Sequence, residues 1–318
     1  MTPDTRVTDA SRLAALVLDE VEKAVVGKRS ALMLVLASVL AKGHVLIEDF
    51  PGLGKTLAAR SLATALGLDF ARAQFTPDLL PADLTGSFIY DQRAGSFEFR
   101  RGPLFTGLLL ADEINRTPPK TQSALLEAMQ ERQVTVEGET FRLPAPFHVL
   151  ATANPIEYEG TYPLPEAQLD RFLMRVSFGY PTLEEEYDVL VRRLARQQEE
   201  VDLAQVTDAV GVLEMQAATE TVTVDESVGR YCVDLAVATR DHDDVLTGSS
   251  PRGSLGLVLA ARGWAVLRGR DYVVPEDVKS IAPSVLAHRL ILAPEARSAG
   301  LSDEDIVRDA VEHTPVPV

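Results

Sequence analysis

Short apolar runs alternate with helical periodicity up to about residue 180, and helical periodicity alone continues beyond it. Leu13, Leu16, Val17, Val21, Ala24 and Val25 share one face of a helix predicted over 11–26, which Gly27 ends. A more apolar helix is predicted over 29–42, stopped by Gly43. Val45-Leu46-Ile47, Leu108 to Ala111, Phe147 to Thr152 and Arg175 to Phe178 read as buried strands. Leu57 to Leu66 is a run of good helix formers closed by Gly67, and Lys120 to Arg132 reads as a helix behind Pro118-Pro119. Two hairpins are expected. One pairs Phe88–Tyr90 with Ser96–Phe99 around Asp91–Gly95; the other pairs Val134–Val136 with Thr140–Arg142 around Glu137-Gly138. Strands alternating with helices imply an α/β fold with a parallel sheet covered on both faces. After Gly179-Tyr180-Pro181 the pattern predicts helices over 183–200, 203–217, 225–240, 252–268, 275–289 and 302–312. The expected division is an α/β domain over 1–180 and a helical domain over 181–318. No low-complexity linker separates them, so they are expected to abut. Internal repeats are absent.

The length of 318 residues suits two such domains. Hydrophobic residues make up 46% and charged residues 25%, the balance of an ordinary globular protein. The formal charge of −16 makes nucleic acid a poor partner for the bulk surface. Cys232 is the one cysteine, so no intramolecular disulfide can form and a reduced compartment is expected. The longest apolar run, Ala31 to Ala41, is too short to span a bilayer. The amino-terminal Met-Thr-Pro-Asp-Thr-Arg lacks the shape of a signal peptide, and a cytoplasmic location is expected. The five histidines have no metal-ligand spacing. Asp241, Asp243 and Asp244 lack the glycine and distal glutamate of a calcium loop and read as a solvated turn.

Chemistry concentrates after the first buried strand, in Asp49-Phe-Pro-Gly-Leu-Gly-Lys55-Thr56. Strand, glycine-rich turn, Lys-Thr and helix make a phosphate-binding loop. Gly52 and Gly54 let backbone N–H groups converge on phosphate oxygens, and the helix amino end adds partial positive charge. Lys55 brings a full charge and the Thr56 hydroxyl can ligate Mg²⁺. Asp49 stands where the motif has its first glycine, tolerable if its side chain caps the loop and points away. Asp112-Glu113 closes the next apolar strand. One carboxylate can hold Mg²⁺ through water while its neighbour polarises the attacking water, a second acid that a small-molecule kinase does not need. Asn154-Pro155 ends another strand, and ligands of open parallel sheets sit at strand carboxyl ends. A helical lid hinged over a bound nucleotide would complete such a site.

Taken with Val26-Gly27, His44–Thr56, Gln74–Asp78, Leu110–Arg116, Thr121–Met129, Ala151–Pro155, Pro165–Phe172 and Ser250-Pro251-Arg252, these motifs resemble the AAA+ ATPases, and within them the MoxR family. The resemblance covers most of the chain in order. It implies an AAA+ αβα domain with a helix-2 insert hairpin at about 84–101, a pre-sensor hairpin at about 132–143, and a C-terminal helical lid. It implies ATP and Mg²⁺ as cofactors, with Pro51, Gly52, Leu53, Gly54, Lys55, Thr56 and Leu57 around the phosphates and Val26 and Gly27 against adenine. Thr56 and Asp112 would serve the metal, Glu113 the water, and Asn154 would be sensor 1. Arg171 matches an arginine finger, or else pairs with Asp170; Arg252 matches sensor 2, in its own subunit or across an interface, or is a surface charge. Arg116 reads as an interface contact or a solvated arginine. Lys28 stands where glutamine is common.

By resemblance the product is a chaperone-like ATPase that remodels or matures a protein client. It would work as a homo-oligomeric ring, six subunits by analogy, with a von Willebrand factor A domain protein as partner. A magnesium-chelatase-like subunit and a DNA-handling motor share the same motor parts. The net charge and the acidic tip Glu137-Gly138-Glu139 argue against DNA. A small-molecule kinase is opposed by Asn154, Arg171 and the lid.

Overall fold

The computed structural model describes residues 5–155, 160–198 and 200–317. The first four residues of the amino-terminal stretch, and residue 199 of the helix predicted over 183–200, lie outside that range. Two helices, α1 (Thr5–Val21) and α2 (Arg29–Leu40), precede β1 (Val45–Glu48). Then come α3 (Lys55–Leu66), β2 (Phe70–Gln74), α4 (Pro81–Thr85), β3 (Gly86–Asp91), β4 (Ser96–Arg101), β5 (Leu108–Asp112) and α5 (Pro119–Glu131). They are followed by β6 (Gln133–Val136), β7 (Glu139–Arg142), β8 (His148–Ala153), α6 (Glu166–Leu169) and β9 (Met174–Val176). The main sheet runs β2-β5-β8-β1-β9, parallel throughout.

Its central strands are continuous apolar runs because both faces are buried. Val45, Ile47, Leu108, Leu110 and Leu150 face one core, while Leu46, Leu109, Ala111, Val149 and Ala151 face the other. The sequence pattern misses β2, an edge strand whose Arg72 and Gln74 point to polar partners rather than into a core. Both predicted hairpins form, β3–β4 and β6–β7. They meet through stacked Phe99 and Phe141, with centroids 4.0 Å apart, and Phe88 beside them.

The remaining elements are α7 (Leu183–Arg196), α8 (Ala209–Glu220), α9 (Glu226–Arg240), β10 (Val245–Thr247), α10 (Pro251–Leu267), α11 (Pro275–Leu286), β11 (Ile291–Leu292), α12 (Pro294–Ser298) and α13 (Asp303–His313). Apart from the small β10–β11 pair this half is helical. Several bounds move for local reasons. α1 begins before residue 11 because Val7 and Ala10 extend its buried face, and it ends at Val21. α7 stops at Arg196, where Gln197 turns left-handed. The helix expected over 203–217 is instead Ala209–Glu220: the Asp208 side chain caps it by accepting from the Gly211 N–H, while Val206 and Thr207 donate to the Ala65 carbonyl at the end of α3.

Most of the helical half packs on the flanking helices and the sheet edge, while α7 starts beside the phosphate loop. α10 packs on α2, α8 on α1, and α11 on β9. Gly263 sets the α10–α2 approach, since a Cβ there would lie 2.4 Å from the Ala37 carbonyl oxygen. Two buried histidines strengthen the seam at the amino edge of the sheet. His148 Nδ1 donates to the Gly43 carbonyl while its Nε2 accepts from the Gln216 amide of α8. His44 Nδ1 accepts from the Val149 N–H. Burial pushes both imidazoles down, His148 to about 4, so they pack as neutral rings.

Candidate functional site

β1 delivers the chain to the phosphate loop at the carboxyl edge of the sheet. Gly52 and Gly54 take φ of +82° and +80°, a left-handed backbone that a side chain would strain. Beyond both glycines lies open space, for a Cβ on either would touch nothing within 4 Å. Gly54 is the N-cap of α3 and has no side chain with which to cover the helix amino end. An open cradle of left-handed glycines, a helix amino terminus and Lys55 fit a nucleotide phosphate group. Lys55 Nζ donates to the Asp49 carbonyl at 2.7 Å, which holds the ammonium over the loop.

Asp49 turns its carboxylate away from that cradle. Buried at 4% exposure, its Oδ2 accepts from the Phe178 N–H at 2.5 Å and the Gly179 N–H at 3.0 Å. The residue thus clamps the loop to the chain leaving β9, which is why a carboxylate is accommodated beside a phosphate site. Asp49→Ala strips two buried N–H groups of their acceptor. It is expected to cost on the order of 1–3 kcal/mol of stability, read by denaturant unfolding. Unchanged stability would mean that water replaces the carboxylate.

β5 and β8 bring the acids to the same edge. Asp112 is buried and its two oxygens are divided: Oδ2 accepts from Arg72 Nε and Nη2 at 3.0 and 2.7 Å, and Oδ1 accepts from the Thr152 hydroxyl at 2.6 Å. A carboxylate oxygen retains a further lone pair for a metal-bound water. Thr56 and Asp112 are the residues that would supply hard oxygens to Mg²⁺. Glu113 leaves the strand in a left-handed conformation at φ +58°, a strained turn for a residue with a Cβ. Its N–H donates to the Thr152 hydroxyl, and its carboxylate accepts from Gln74 Nε2 at 2.6 Å and Arg116 Nη1 at 3.0 Å. Arg116 thus pairs with Glu113 while its side chain stays 45% exposed.

Asn154 follows β8 and is buried, one residue beyond the Glu48–Ala153 register pair. That places it level with the start of the phosphate loop. Val26 and Gly27 lie in the turn between α1 and α2, beside the same loop. Lys28 Nζ donates to the Gly179 carbonyl, and a Cβ on Gly27 would strike the Glu185 carboxyl group. The Phe50 and Tyr180 rings lie 5.8 Å apart. Leu57 is exposed on the first turn of α3.

Arg171 and Arg252 are brought together, but at the other edge of the sheet. Arg171 precedes β9, whose entry is pinned by the Leu173 N–H donating to the His44 carbonyl, before β1 begins. β1 alone rises roughly 13 Å between the edges at about 3.3 Å per residue. Both arginines line one 250 Å³ cavity with Met129, Phe172, Leu255 and Leu259. Asp170 does not pair with Arg171. Its carboxylate holds Arg289 Nε at 2.8 Å, Ser250 Oγ at 3.3 Å and Arg252 Nη1 at 3.8 Å. Among the described residues no ion pair engages Arg171.

Sequence reasoning missed Arg72, Gln74 and Thr152, which set the orientation of both acids. Gln74 opened a quoted motif and Thr152 lay inside one, yet an arginine, a glutamine and a threonine on strands carry no signal of what they face. The parallel pairing of β2, β5 and β8 decides it.

A parallel sheet in this order, with a glycine loop after β1, an acid pair after β5 and a polar residue after β8 on one edge, defines an AAA+ ATPase. Residues 44–174 match the family model described as ATPase family associated with various cellular activities (AAA), and residues 237–310 match the AAA lid domain. The chain is 49% identical to the uncharacterised YeaC protein of Bacillus subtilis (strain 168), over 98% of this chain and 97% of that one. It is 43% identical to the chaperone MoxR1 of Mycobacterium tuberculosis, over 94% of this chain and 81% of the relative. A crystal structure of a candidate ATPase from Cytophaga hutchinsonii ATCC 33406 superposes with a TM-score of 0.92 at 42% identity, covering 98% of this chain and 97% of that one. The chain belongs to the MoxR family of AAA+ ATPases. Its architecture is that of an ATP-hydrolysing enzyme with a helical lid. Among the described residues no helix is long and apolar enough to cross a membrane.

Proposed function

We propose that this ATPase remodels or matures a protein client, as a homo-oligomeric ring using Mg²⁺ and ATP, with a von Willebrand factor A domain protein as partner. The observation that carries the ring is the separation of Arg171 and Arg252 from Lys55, Asp112 and Glu113 by the height of the sheet. One chain holds both halves of a site and cannot close them on each other. In a ring, the arginine face of one subunit meets the phosphate loop of the next. Pro51 to Leu57 cradle the phosphates and Val26 and Gly27 receive the base. Thr56 and Asp112 hold the metal, whose charge offsets that of the phosphates. Glu113 takes a proton from the attacking water and Asn154 orients that water. Arg171 and Arg252 are supplied by the neighbour. The reading as a chaperone draws support from MoxR1, which is named for that activity.

A trap tests the client. Glu113→Gln subunits, charged with ATP, are expected to retain a von Willebrand factor A domain protein or another client through purification, whereas Lys55→Ala subunits are not. Equal recovery on both proteins would count against ATP-gated client capture.

A further inference from the structure

α7 is an amphipathic helix mounted inside out. Leu183, Tyr187, Leu190, Val191 and Leu194 recur at the spacing of one helical face. That face is open: Leu183 is 80% exposed, Tyr187 63%, Leu190 58% and Leu194 76%. The opposite face holds the helix to its own body. Glu185 fills the space over Gly27, and Arg192 Nη1 donates to the Glu22 carbonyl at 3.0 Å. No residue of α7 is buried, and a monomer gains nothing by leaving this row of leucines in water.

We propose that this stripe is a docking surface for a second copy of the same chain, and that it receives the face bearing Leu255, Arg171 and Arg252. Three observations select that occupant. The first is position. α7 starts beside the phosphate loop, with Tyr180 against Phe50 and Glu185 against Gly27, at the edge the neighbour's arginines must approach. The second is apolar complementarity. Leu255 is 57% exposed at the mouth of the 250 Å³ cavity, whose walls include Met129, Phe172 and Leu259. The third is charge. Glu184, Glu185 and Glu186 fill the first turn of α7, while Arg171, Arg252 and Arg289 border the cavity. An acidic helix start with a leucine stripe thus complements an arginine-rimmed apolar pocket on another face of the same chain, the pattern of a heterologous head-to-tail contact that closes into a ring. The proposal deepens the ring reading and rests on it.

Two measurements test it apart from arginine-finger action. Leu190→Asp with Leu194→Asp is expected to leave ATP affinity within about twofold and the thermal midpoint unchanged, because the anchoring face is untouched. The same protein should stay monomeric with ATP by light scattering where the wild type assembles. Separately, Leu190→Cys with Leu255→Cys is expected to give inter-chain disulfide oligomers on oxidation with ATP, which neither single variant gives. Wild-type rings from the double aspartate variant, or no inter-chain disulfide from the paired cysteines in assembled protein, overturns the proposal. Rings that persist while a different protein occupies the stripe also overturn it, since that protein and not a second copy would be the occupant. The ring reading fails separately, if wild-type protein never assembles with ATP.

Discussion

Glu113→Gln is expected to lower ATP turnover about 10²–10⁴-fold, the range general bases contribute, with ATP affinity nearly unchanged. Glutamine keeps the shape of glutamate, and its oxygen can still accept from Gln74 Nε2. The left-handed backbone and the N–H bond to Thr152 are untouched, as is the Lys55 cradle. Only the capacity to take a proton is removed. A fall in kcat without a matching change in Kd is the signature of a group that acts in the transition state alone. Parallel loss of affinity and turnover would instead mean that Glu113 shapes the nucleotide site. The hydrogen bond from Gln74 and the ion pair with Arg116 both fall on Oε2 and hold the carboxylate in this conformation, which leaves Oε1 to meet water.

Arg171→Ala is expected to cost about 10³-fold or more in rate, as arginine fingers supplied in trans do. Guanidinium charge would stabilise the negative charge spreading over the γ-phosphate of the neighbouring subunit. The placement of Arg171 at the amino edge, with Asp170 committed to Arg289, Ser250 and Arg252, leaves its guanidinium for an intermolecular role. Mixing provides the check. Inactive Arg171→Ala and inactive Glu113→Gln subunits should together regain activity, because an interface pairing a normal Arg171 with a normal Glu113 is intact. Mixed rings with no recovered hydrolysis would assign Arg171 to its own subunit or to structure. Arg252 lies beside Arg171 in the same cavity, and its placement supports the same direction of action.

Much of the site was legible in the chain because its signals are local. A phosphate loop is a strand, a turn and a helix in succession, so Gly52, Gly54, Lys55 and Thr56 are near neighbours in sequence before they are near in space. An acid pair behind four buried residues is equally visible. The two hairpins announce themselves by their turn residues, and the helical half by its period. Residues whose meaning depends on a partner far along the chain were not legible. Arg72 bonds Asp112 across 40 positions, and Gln74 bonds Glu113 across 39. The fit of Asp49 at a glycine position of the loop depends on the Phe178 and Gly179 N–H groups at its carboxylate, 129 and 130 positions away.

By itself the sequence determined the class of protein and most of its elements, and marked the residues proposed to meet a nucleotide, because hydrophobic period and turn chemistry act over a few residues. Tertiary structure alone decided where the helical half sits. Close packing of α10 on α2 at Gly263 places it beside the sheet and carries Arg252 to the edge opposite Lys55. It also decided that the stripe on α7 faces outward: periodicity gives a helix an apolar face, but only the anchoring of Glu185 and Arg192 settles which way that face turns.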